Sequence, residues 1–261
     1  MDIRDSLFDL TGKVAVITGS TKGIGHAIAI QMARHGAKIV VSSRKQDACD
    51  ETAAEIRAMG SEAIGVACNI SYKEQLENLV GAARKAFGKI DILVCNAAVN
   101  PYWGPSHKCP DSAFDKIVGA NIRSNHWLSS MVLPEMAERK DGVILYVVSV
   151  GGLRGNPTLG IYGISKAADM QMARNLAVEW GEHNIRVNCI APSLVKTDMA
   201  KALWENPETL KKATASYPLR RLGEPDELAG AAVFLASKAG GFVTGQTIIV
   251  DGGVMIANSS I

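Results

Sequence analysis

The sequence predicts a single α/β domain in which a doubly wound, mostly parallel sheet carries helices on both faces. Short apolar segments alternate with longer amphipathic ones along the chain, as expected for parallel strands joined by right-handed helical crossovers. The first five predicted strands are apolar on both faces, as strands are when helices cover both sides of a sheet. A length of 261 residues suits one domain with a sizeable core.

Seven apolar segments are predicted to be strands, and the first five stretches between them have the 3.6-residue apolar periodicity of helices. Gly36 and Gly60 mark the ends of the first two helices, since glycine commonly follows a helix end. The predicted strands are Lys13–Ile17, Lys38–Ser42, Ala63–Cys68, Ile90–Cys95, Gly142–Ser149, Ile185–Ile190 and Thr247–Val250. The predicted helices are Gly23–His35, Gln46–Met59, Glu74–Phe87, Ser112–Arg139 and Tyr162–Gly181.

The stretch from Ser193 to Arg221 is the least regular part of this single domain, which spans residues 1–261. It follows a predicted strand end and has weak apolar periodicity. Because ligands of open α/β sheets bind beyond the carboxyl ends of the strands, we expect this stretch to be a substrate lid.

Composition excludes several classes of protein. Apolar residues make up 47% and charged residues 21% of the chain, and the formal net charge is only +2. These values are typical of a globular domain and do not indicate a nucleic-acid or membrane-surface partner. Five cysteines without a CxxC pair and five histidines without ligand spacing predict neither a disulfide framework nor a metal site. The amino-terminal sequence has no apolar signal core, so we expect a cytoplasmic protein.

A glycine-rich turn directly follows the first predicted strand. Glycines allow a tight turn and let the backbone approach a pyrophosphate, which then binds at the amino end of the next helix. An ordinary loop can have the same composition, but the position between an apolar strand and an amphipathic helix favours dinucleotide binding. The predicted contacts are Gly19, Ser20, Thr21, Lys22, Gly23, Ile24 and Gly25.

The end of the second strand indicates which dinucleotide binds. NAD enzymes of this architecture usually have an acidic residue there, which accepts hydrogen bonds from the ribose hydroxyls. This chain has Ser43, Arg44 and Lys45 instead, and an arginine fork matches the oxygens of a 2′-phosphate. The alternative is a helix that merely begins with basic residues, which the helix dipole disfavours. We therefore predict NADP(H) as the cofactor.

Tyr162 and Lys166 are four residues apart, which places a phenol and an ammonium on one face of a helix. A nearby positive charge favours the phenolate, and proton exchange at neutral pH requires that form to be accessible. Ser149 follows the preceding strand and could hold a carbonyl oxygen by a hydrogen bond. A Tyr-x-x-x-Lys spacing alone is often a surface pair. With Ser149 and the glycine turn, it indicates hydride transfer to a carbonyl group.

With these motifs the chain resembles the short-chain dehydrogenase/reductase family over about Leu10 to Gly253. Its TGxxxGxG turn lies at 18–25, its serine thirteen residues before the tyrosine is Ser149, and its YxxxK pair is Tyr162 with Lys166. Further family motifs match 95–98, 119–122, 186–193 and 251–253. Segments 40–46, 96–101 and 220–225 are similar to the NADPH-dependent carbonyl reductase/retinol dehydrogenase group.

The resemblance implies a Rossmann fold and a catalytic tetrad of Asn121, Ser149, Tyr162 and Lys166. It also implies that Lys166 binds the nicotinamide ribose and that Asn121 steadies a water that relays protons to Lys166. Val195 and Thr197 would contact the carboxamide. The implied cofactor contacts beyond the glycine turn and the basic segment are Asn69, Ile70, Asn96, Ala97, Ala98, Tyr162, Lys166, Pro192, Ser193, Val195 and Thr197.

Three of these positions depart from the family pattern. Asn69 stands where the family often has an aspartate that touches adenine, and an amide oxygen can still accept that hydrogen bond. Ala98 and Ser193 each replace a glycine. None of the three departures removes a catalytic group.

The predicted substrate pocket is mostly apolar or aromatic, which suits a lipophilic carbonyl compound or alcohol. Tyr102 and Trp103 could instead pack a loop against the core. The pocket residues are Tyr102, Trp103, Leu153, Leu159, Leu194 and Leu203, with Asn100, Pro101, Ile161 and Met199 nearby.

Three other functions stay open at this point. A 3-oxoacyl-thioester reductase or a hydroxysteroid-type dehydrogenase would use the same groups, and a regulator that binds a dinucleotide without catalysis is a remote alternative. The resemblance also implies a homotetramer or homodimer formed through the helices at Ser112–Arg139 and Tyr162–Gly181.

Overall fold

The computed structural model describes residues 6–197 and 201–257, which form a seven-stranded sheet with helices on both faces. The strand order is β3-β2-β1-β4-β5-β6-β7, and all six strand pairings are parallel. The prediction of a doubly wound, mostly parallel seven-stranded sheet is thereby confirmed. The strands are β1 (Val14–Thr18), β2 (Lys38–Ser43), β3 (Ala63–Ala67), β4 (Ile92–Cys95), β5 (Gly142–Val147), β6 (Ile185–Pro192) and β7 (Thr247–Val250).

The five predicted helices agree with the structure within one or two residues at most ends, with one exception, whereas the helices at Lys201–Trp204, Pro207–Thr214 and Pro225–Ala236 were not predicted. The predicted helix Ser112–Arg139 is divided by a π-helical stretch, Val118–Arg123, that contains Asn121. Apolar periodicity cannot reveal such a widened turn, which often marks a functional position. The helices are α1 (Gly23–Arg34), α2 (Gln46–Ala58), α3 (Lys73–Phe87), α4 (Asp111–Ile117), α5 (Ser124–Arg139), α6 (Gly160–Trp180), α7 (Lys201–Trp204), α8 (Pro207–Thr214) and α9 (Pro225–Ala236).

Two apolar layers lie on opposite faces of the sheet. Alternate residues of β1 divide between them: Ala15 and Ile17 face one layer, and Val14 and Val16 face the other. Helices α1, α2 and α9 supply the first layer, and α3, α5 and α6 supply the second. Side chains of a strand point alternately to the two faces, which is why the central strands are apolar throughout.

The strand order reverses between β1 and β4, and this reversal positions the site. The connections after β1 and after β4 run to opposite sides, so a crevice opens beyond the carboxyl ends of these strands. The predicted lid stretch follows β6 at the same edge and contains α7 and α8. Within residues 6–197 and 201–257, no helix has the length and apolar character that crossing a bilayer requires.

Candidate active site

The start of α6 lies unusually close to the turn that follows β5. A Cβ atom added at Gly163 would stand 2.5 Å from the carbonyl oxygen of Gly151, and one at Gly152 would stand 2.8 Å from the backbone nitrogen of Ala167. Only glycine permits this approach at both positions. The contact fixes Tyr162, in the first turn of α6, beside the turn that carries Ser149.

Ser149 begins a short 3₁₀ turn over Val150–Gly152. Its Oγ accepts a hydrogen bond of 3.0 Å from the backbone N–H of Gly151, which fixes the orientation of the side chain. The hydroxyl proton is left to donate, and a half-buried hydroxyl at a strand end can hold a carbonyl oxygen.

The Lys166 side chain is buried and is fixed by a hydrogen bond to the backbone. Its side chain is only 2% exposed, and its Nζ donates a 3.0 Å hydrogen bond to the carbonyl oxygen of Val147 at the end of β5. The same Nζ lies 5.8 Å from the ring centroid of Tyr162. Within the described part of the chain, the Tyr162 hydroxyl has no hydrogen-bond partner, and its ring is half-buried. The structure therefore brings the ammonium and the phenol together one helical turn apart.

Asn121 connects the π-helical stretch to both the loop after β4 and α6. Its Oδ1 accepts from the Val99 backbone N–H at 2.8 Å, and its Nδ2 donates to the Val99 carbonyl and to Ser165 Oγ, each at 3.0 Å. The side chain is fully buried and occupied by these three bonds. Asn121 is thus bonded to Ser165, the residue that directly precedes Lys166 on α6, while its part in a proton relay stays a prediction.

The glycine turn after β1 has the form of a cradle for an anion. Gly19 and Gly23 adopt φ values of 67° and 58°, which favour glycine. A Cβ at Gly25 would stand 2.3 Å from the Gly19 carbonyl oxygen. No side chain caps the amino end of α1, and its first turn has no acidic residue, so its amide groups can bind a pyrophosphate. The turn therefore fits the predicted dinucleotide.

Asn96 supports this turn from β4. Its Nδ2 donates to the carbonyl oxygens of Thr18 and Gly19, at 3.0 and 3.1 Å. Ser20 is also internal, because its Oγ donates to the Ile17 carbonyl and accepts from the Ser42 backbone N–H. These two side chains shape the turn, and the backbone N–H groups of Asn96 and Ser20 are occupied as well, by Thr18 Oγ1 at 3.1 Å and by the Ser42 carbonyl oxygen at 3.0 Å.

The basic segment at the end of β2 is open to solvent. Arg44 and Lys45 are exposed, and within the described residues no carboxylate pairs with Arg44. Ser43 is half-buried, and its backbone N–H donates to the buried Cys49 Sγ at 3.1 Å. The segment is thus anchored at Ser43, while the arginine fork stays free for a phosphate.

The remaining predicted cofactor residues line the same edge of the sheet. Asn69 follows β3, and its Oδ1 already accepts from the Ser71 backbone N–H at 3.1 Å, which leaves one lone pair for adenine. Thr197 lies against the glycine turn, since a Cβ at Gly23 would stand 3.2 Å from its Cγ2. Ile70, Pro192 and Val195 are buried, and Ala97, Ala98 and Ser193 are half-buried.

The residues predicted to bind substrate differ in exposure and in their contacts. Trp103 and Leu153 are exposed, and the Tyr102 hydroxyl donates to the Pro105 carbonyl oxygen within its own loop. That bond agrees with the alternative in which Tyr102 packs its loop. The backbone N–H of Gly104 donates to the Thr158 carbonyl at 2.9 Å, so the loops after β4 and β5 are joined. Of the others, Leu159, Leu194, Asn100 and Ile161 are half-buried and Pro101 is exposed, while Met199 and the side chain of Leu203 lie outside the described residues.

Two buried polar residues beside Lys166 were not predicted. Asp169 Oδ2 is 3.5 Å from Lys166 Nζ, and Asn125 Nδ2 donates to Asp169 Oδ1 at 3.0 Å. One sequence feature could have identified Asp169. It is an acidic residue three positions after the lysine, on the face of α6 that packs against the sheet. Within the described chain, no group of three or more His, Cys, Asp or Glu side chains is arranged to hold a metal ion.

Known proteins resemble this chain over most of its length. A sequence model of the family described as enoyl-(acyl carrier protein) reductase matches residues 19–255. Dehydrogenase/reductase SDR family member 4 of Bos taurus is 41% identical over 244 residues, which cover 94% of this chain and 88% of that protein.

Two solved structures are similar in both sequence and fold. A 7 alpha-hydroxysteroid dehydrogenase complexed with NADH and 7-oxo glycochenodeoxycholic acid is 40% identical with a TM-score of 0.90, covering 94% of this chain and 95% of that one. A gluconate 5-dehydrogenase from Burkholderia cenocepacia J2315, in complex with NADP and tartrate, is 31% identical with a TM-score of 0.91, covering 96% and 98%.

Proposed function

We propose that this chain, which belongs to the short-chain dehydrogenase/reductase family, uses NADP(H) with Tyr162 as the general acid and base. The chain is an oxidoreductase that acts on CH–OH and C=O groups. The observation that carries this proposal is the placement of Lys166 Nζ, buried and 5.8 Å from the Tyr162 ring, beside Ser149. With Asn121, all four tetrad positions are filled, which argues against a regulator without catalysis.

Each residue of the site has its own role in carbonyl reduction. The Ser149 hydroxyl donates a hydrogen bond to the carbonyl oxygen and holds it, while the Tyr162 hydroxyl gives that oxygen its proton. The Lys166 ammonium stabilises the phenolate left behind. A bound NADPH would supply the hydride to the carbonyl carbon, and alcohol oxidation runs through the same groups in reverse. One proton and one hydride thus convert the ketone into a secondary alcohol.

The preference for NADP(H) over NAD(H) rests on the basic segment after β2. Arg44 is exposed without a carboxylate partner in the described chain, and no acidic residue stands there to accept the ribose hydroxyls. A 2′-phosphate would give Arg44 a charge-assisted partner. Related structures contain NADH in one case and NADP in another, so the family alone does not decide the cofactor.

We propose a lipophilic ketone or secondary alcohol as the substrate, because the loops after β4 and β5 supply mainly apolar and aromatic side chains. Oxidation of a hydroxysteroid is the second candidate, favoured by the 40% identity to the 7 alpha-hydroxysteroid dehydrogenase. A 3-oxoacyl thioester would engage the same tetrad. Reduction of an enoyl thioester, which the matching family description suggests, requires hydride transfer to carbon–carbon double bonds instead.

The proposal extends to assembly and location. Ile164 and Val178 on α6 are 57% and 85% exposed, which suits an interface with a second copy in a homotetramer or homodimer. Light scattering at micromolar concentration tests this, and a monomer mass would contradict it. A cytoplasmic location stays a prediction.

Steady-state kinetics with NADPH and with NADH test the function. The panel comprises aryl ketones, diketones, steroid and retinoid carbonyls, 3-oxoacyl thioesters and enoyl thioesters. We expect turnover of carbonyl compounds with kcat/KM at least about 10-fold higher for NADPH than for NADH, as one charge-assisted contact would give. Equal kcat/KM for the two cofactors would contradict the cofactor assignment, and turnover of the enoyl thioester alone would contradict the reaction.

A further inference from the structure

Asp169 lies three residues after Lys166 on α6, and both side chains are withdrawn from solvent. The side chain of Lys166 is 2% exposed and that of Asp169 is 0% exposed, and 3.5 Å separates Nζ from Oδ2. A carboxyl group placed here by chance would be costly, because burial of a charged group without compensation is unfavourable. The pair therefore calls for a role that the Asn-Ser-Tyr-Lys arrangement does not describe.

We propose that Asp169 is a positioning residue of the reaction, whose carboxylate is the fixed counter-charge that keeps the Lys166 ammonium protonated and directed at Tyr162. This inference rests on the proposed function for its meaning in catalysis, although the charge state of Lys166 can be measured without cofactor. Asp169 acts only through Lys166, since no contact joins it to Tyr162 or Ser149 among the described residues.

The geometry of the ammonium supports this role. An ammonium group has three N–H donors. The Val147 carbonyl oxygen takes one at 3.0 Å, and Asp169 Oδ2 faces the group at 3.5 Å. Asp169 Oδ2 is an ion-pair partner without a hydrogen bond, so two donors are left for the Tyr162 side or for a ligand. Two fixed partners behind the Lys166 side chain thus determine where its charge lies.

The carboxylate is itself anchored. Asn125, which is 2% exposed, donates through Nδ2 both to Asp169 Oδ1 at 3.0 Å and to the Asn121 carbonyl oxygen at 2.7 Å. Ser129 Oγ donates to the Asn125 carbonyl at 2.8 Å. Burial raises the pKa of the Asp169 carboxyl, while Lys166 and Asn125 act in the opposite direction and favour its ionised form. Asp169 is therefore tied to the π-helical stretch as well as to α6.

Asp169 carries the negative charge next to Lys166, because the other titratable groups around the pair are neutral or positive. Burial raises the pKa of Cys189, on β6, to about 12, and it raises the pKa of Cys95, on β4, still further. The pKa of Tyr146, on β5, is also raised by burial. All three are neutral at working pH. Arg174 on the same helix is exposed and adds only a distant positive charge.

Asp169→Asn tests the proposal because it removes the charge and nearly keeps the shape. In the protein without cofactor, the ¹⁵Nζ resonance of Lys166 is followed with pH, and Lys166→Met identifies that resonance. We expect Lys166 in Asp169→Asn to lose its proton at a pH at least about one unit lower than in the wild type. With the ammonium no longer held towards Tyr162, kcat for alcohol oxidation should fall by at least about 10-fold.

Ser129→Ala is the matched control. It removes two hydrogen bonds from the same buried cluster, to the Asn125 carbonyl and with the Tyr146 hydroxyl, without touching either charge, so we expect lower thermal stability with an unchanged Lys166 titration and an unchanged kcat. If Asp169→Asn does not fold, Asn125→Ala takes its place. That change removes the donor that favours the ionised carboxyl, and it should shift both readouts in the same directions by a smaller amount.

An unchanged Lys166 titration in the folded variant would overturn the proposal. So would a kcat for alcohol oxidation equal to that of the wild type. Absence of turnover by the wild type on every carbonyl and alcohol would contradict the proposed function instead, and the nitrogen titration would still decide the role of Asp169.

Discussion

The two ends of the proposed dinucleotide groove are built in opposite ways. At the catalytic end, Lys166 and Asp169 are buried, and each makes fixed contacts with the backbone or with other buried side chains. At the adenosine end, Arg44 and Lys45 are exposed, and Arg44 has no carboxylate partner among the described residues. The difference indicates that chemistry requires charges held in place, whereas cofactor selection requires a charge that is free to meet an incoming phosphate.

The catalytic end should therefore be sensitive to small displacements. Gly163→Ala places a methyl group 2.5 Å from the Gly151 carbonyl oxygen, so the start of α6 must move away from the Ser149 turn. A displacement of about 1 Å at a reacting group costs about 100-fold in rate, and we expect kcat to fall by that factor together with a lower Tm. Steady-state kinetics and thermal unfolding measure both effects.

Gly81→Ala is the control for this change, because a Cβ at Gly81 in α3 meets nothing within 4 Å. Alanine at an exposed helix position should raise the free energy of unfolding by about 0.5–1 kcal/mol and leave kcat unchanged. A Gly163→Ala variant with wild-type kcat would show that the close approach of α6 does not set the catalytic geometry.

The adenosine end should respond in cofactor affinity alone. Arg44→Asp removes the partner of the 2′-phosphate and introduces repulsion, so the Kd of NADPH should rise about 10- to 100-fold. The Kd of NADH should stay the same or fall, because an aspartate there can accept the ribose hydroxyls. Fluorescence titration measures both constants, and Lys85→Asp, on the exposed side of α3, makes the same change of charge elsewhere. Equal loss of NADPH and NADH binding would contradict the assignment of Arg44.

The smallest effect is expected outside both the tetrad and the basic segment, at the start of α9. Glu227 pairs with both terminal nitrogens of Arg221, at 2.6 and 2.8 Å, and accepts from the Glu224 backbone N–H at 2.8 Å. These hydrogen bonds lower the pKa of Glu227 to about 2 from its ordinary 4.5. Because the folded-state pKa is depressed, the pair's contribution to stability is complete above pH 4.5 and is lost as the pH falls towards 2.

Glu227→Gln should accordingly lower Tm by less than about 4 °C at pH 7, since the pair is exposed and screened by solvent. Thermal unfolding between pH 7 and pH 3 should show this difference shrinking as the pH falls. A difference that is constant or grows over that range would contradict the ion-pair explanation.

The fold was predictable because its signals are local. Each strand and helix is marked by its own apolar pattern, and the predicted last strand, Thr247–Val250, has the observed bounds. The π-helical stretch at Val118–Arg123 was not predictable, since one widened turn leaves the apolar spacing of its neighbours nearly unchanged. The boundaries of the predicted elements therefore agree except where the π-helical stretch divides a helix, and α9 was not predicted.

Three of the proposed tetrad residues were predictable from their spacing and Asn121 from the family resemblance, but the contacts that position them were not. Ser149, Tyr162 and Lys166 follow a recognisable pattern along the chain. The approach of Gly163 to Gly151 and the Asn125–Asp169 bond join residues 12 and 44 positions apart, and no periodicity in one sequence marks such pairs. Side chains that hold a catalytic group can be identified only once the elements are packed.

Single-turnover reduction by Tyr162→Phe with bound NADPH tests the central claim most directly. The phenyl ring keeps the packing of Tyr162 and removes only the proton donor beside Lys166. We expect hydride transfer to slow by about 100- to 10,000-fold while the Kd of NADPH stays within about threefold of the wild-type value. Hydride transfer at the wild-type rate with NADPH bound would show that the proton comes from another group.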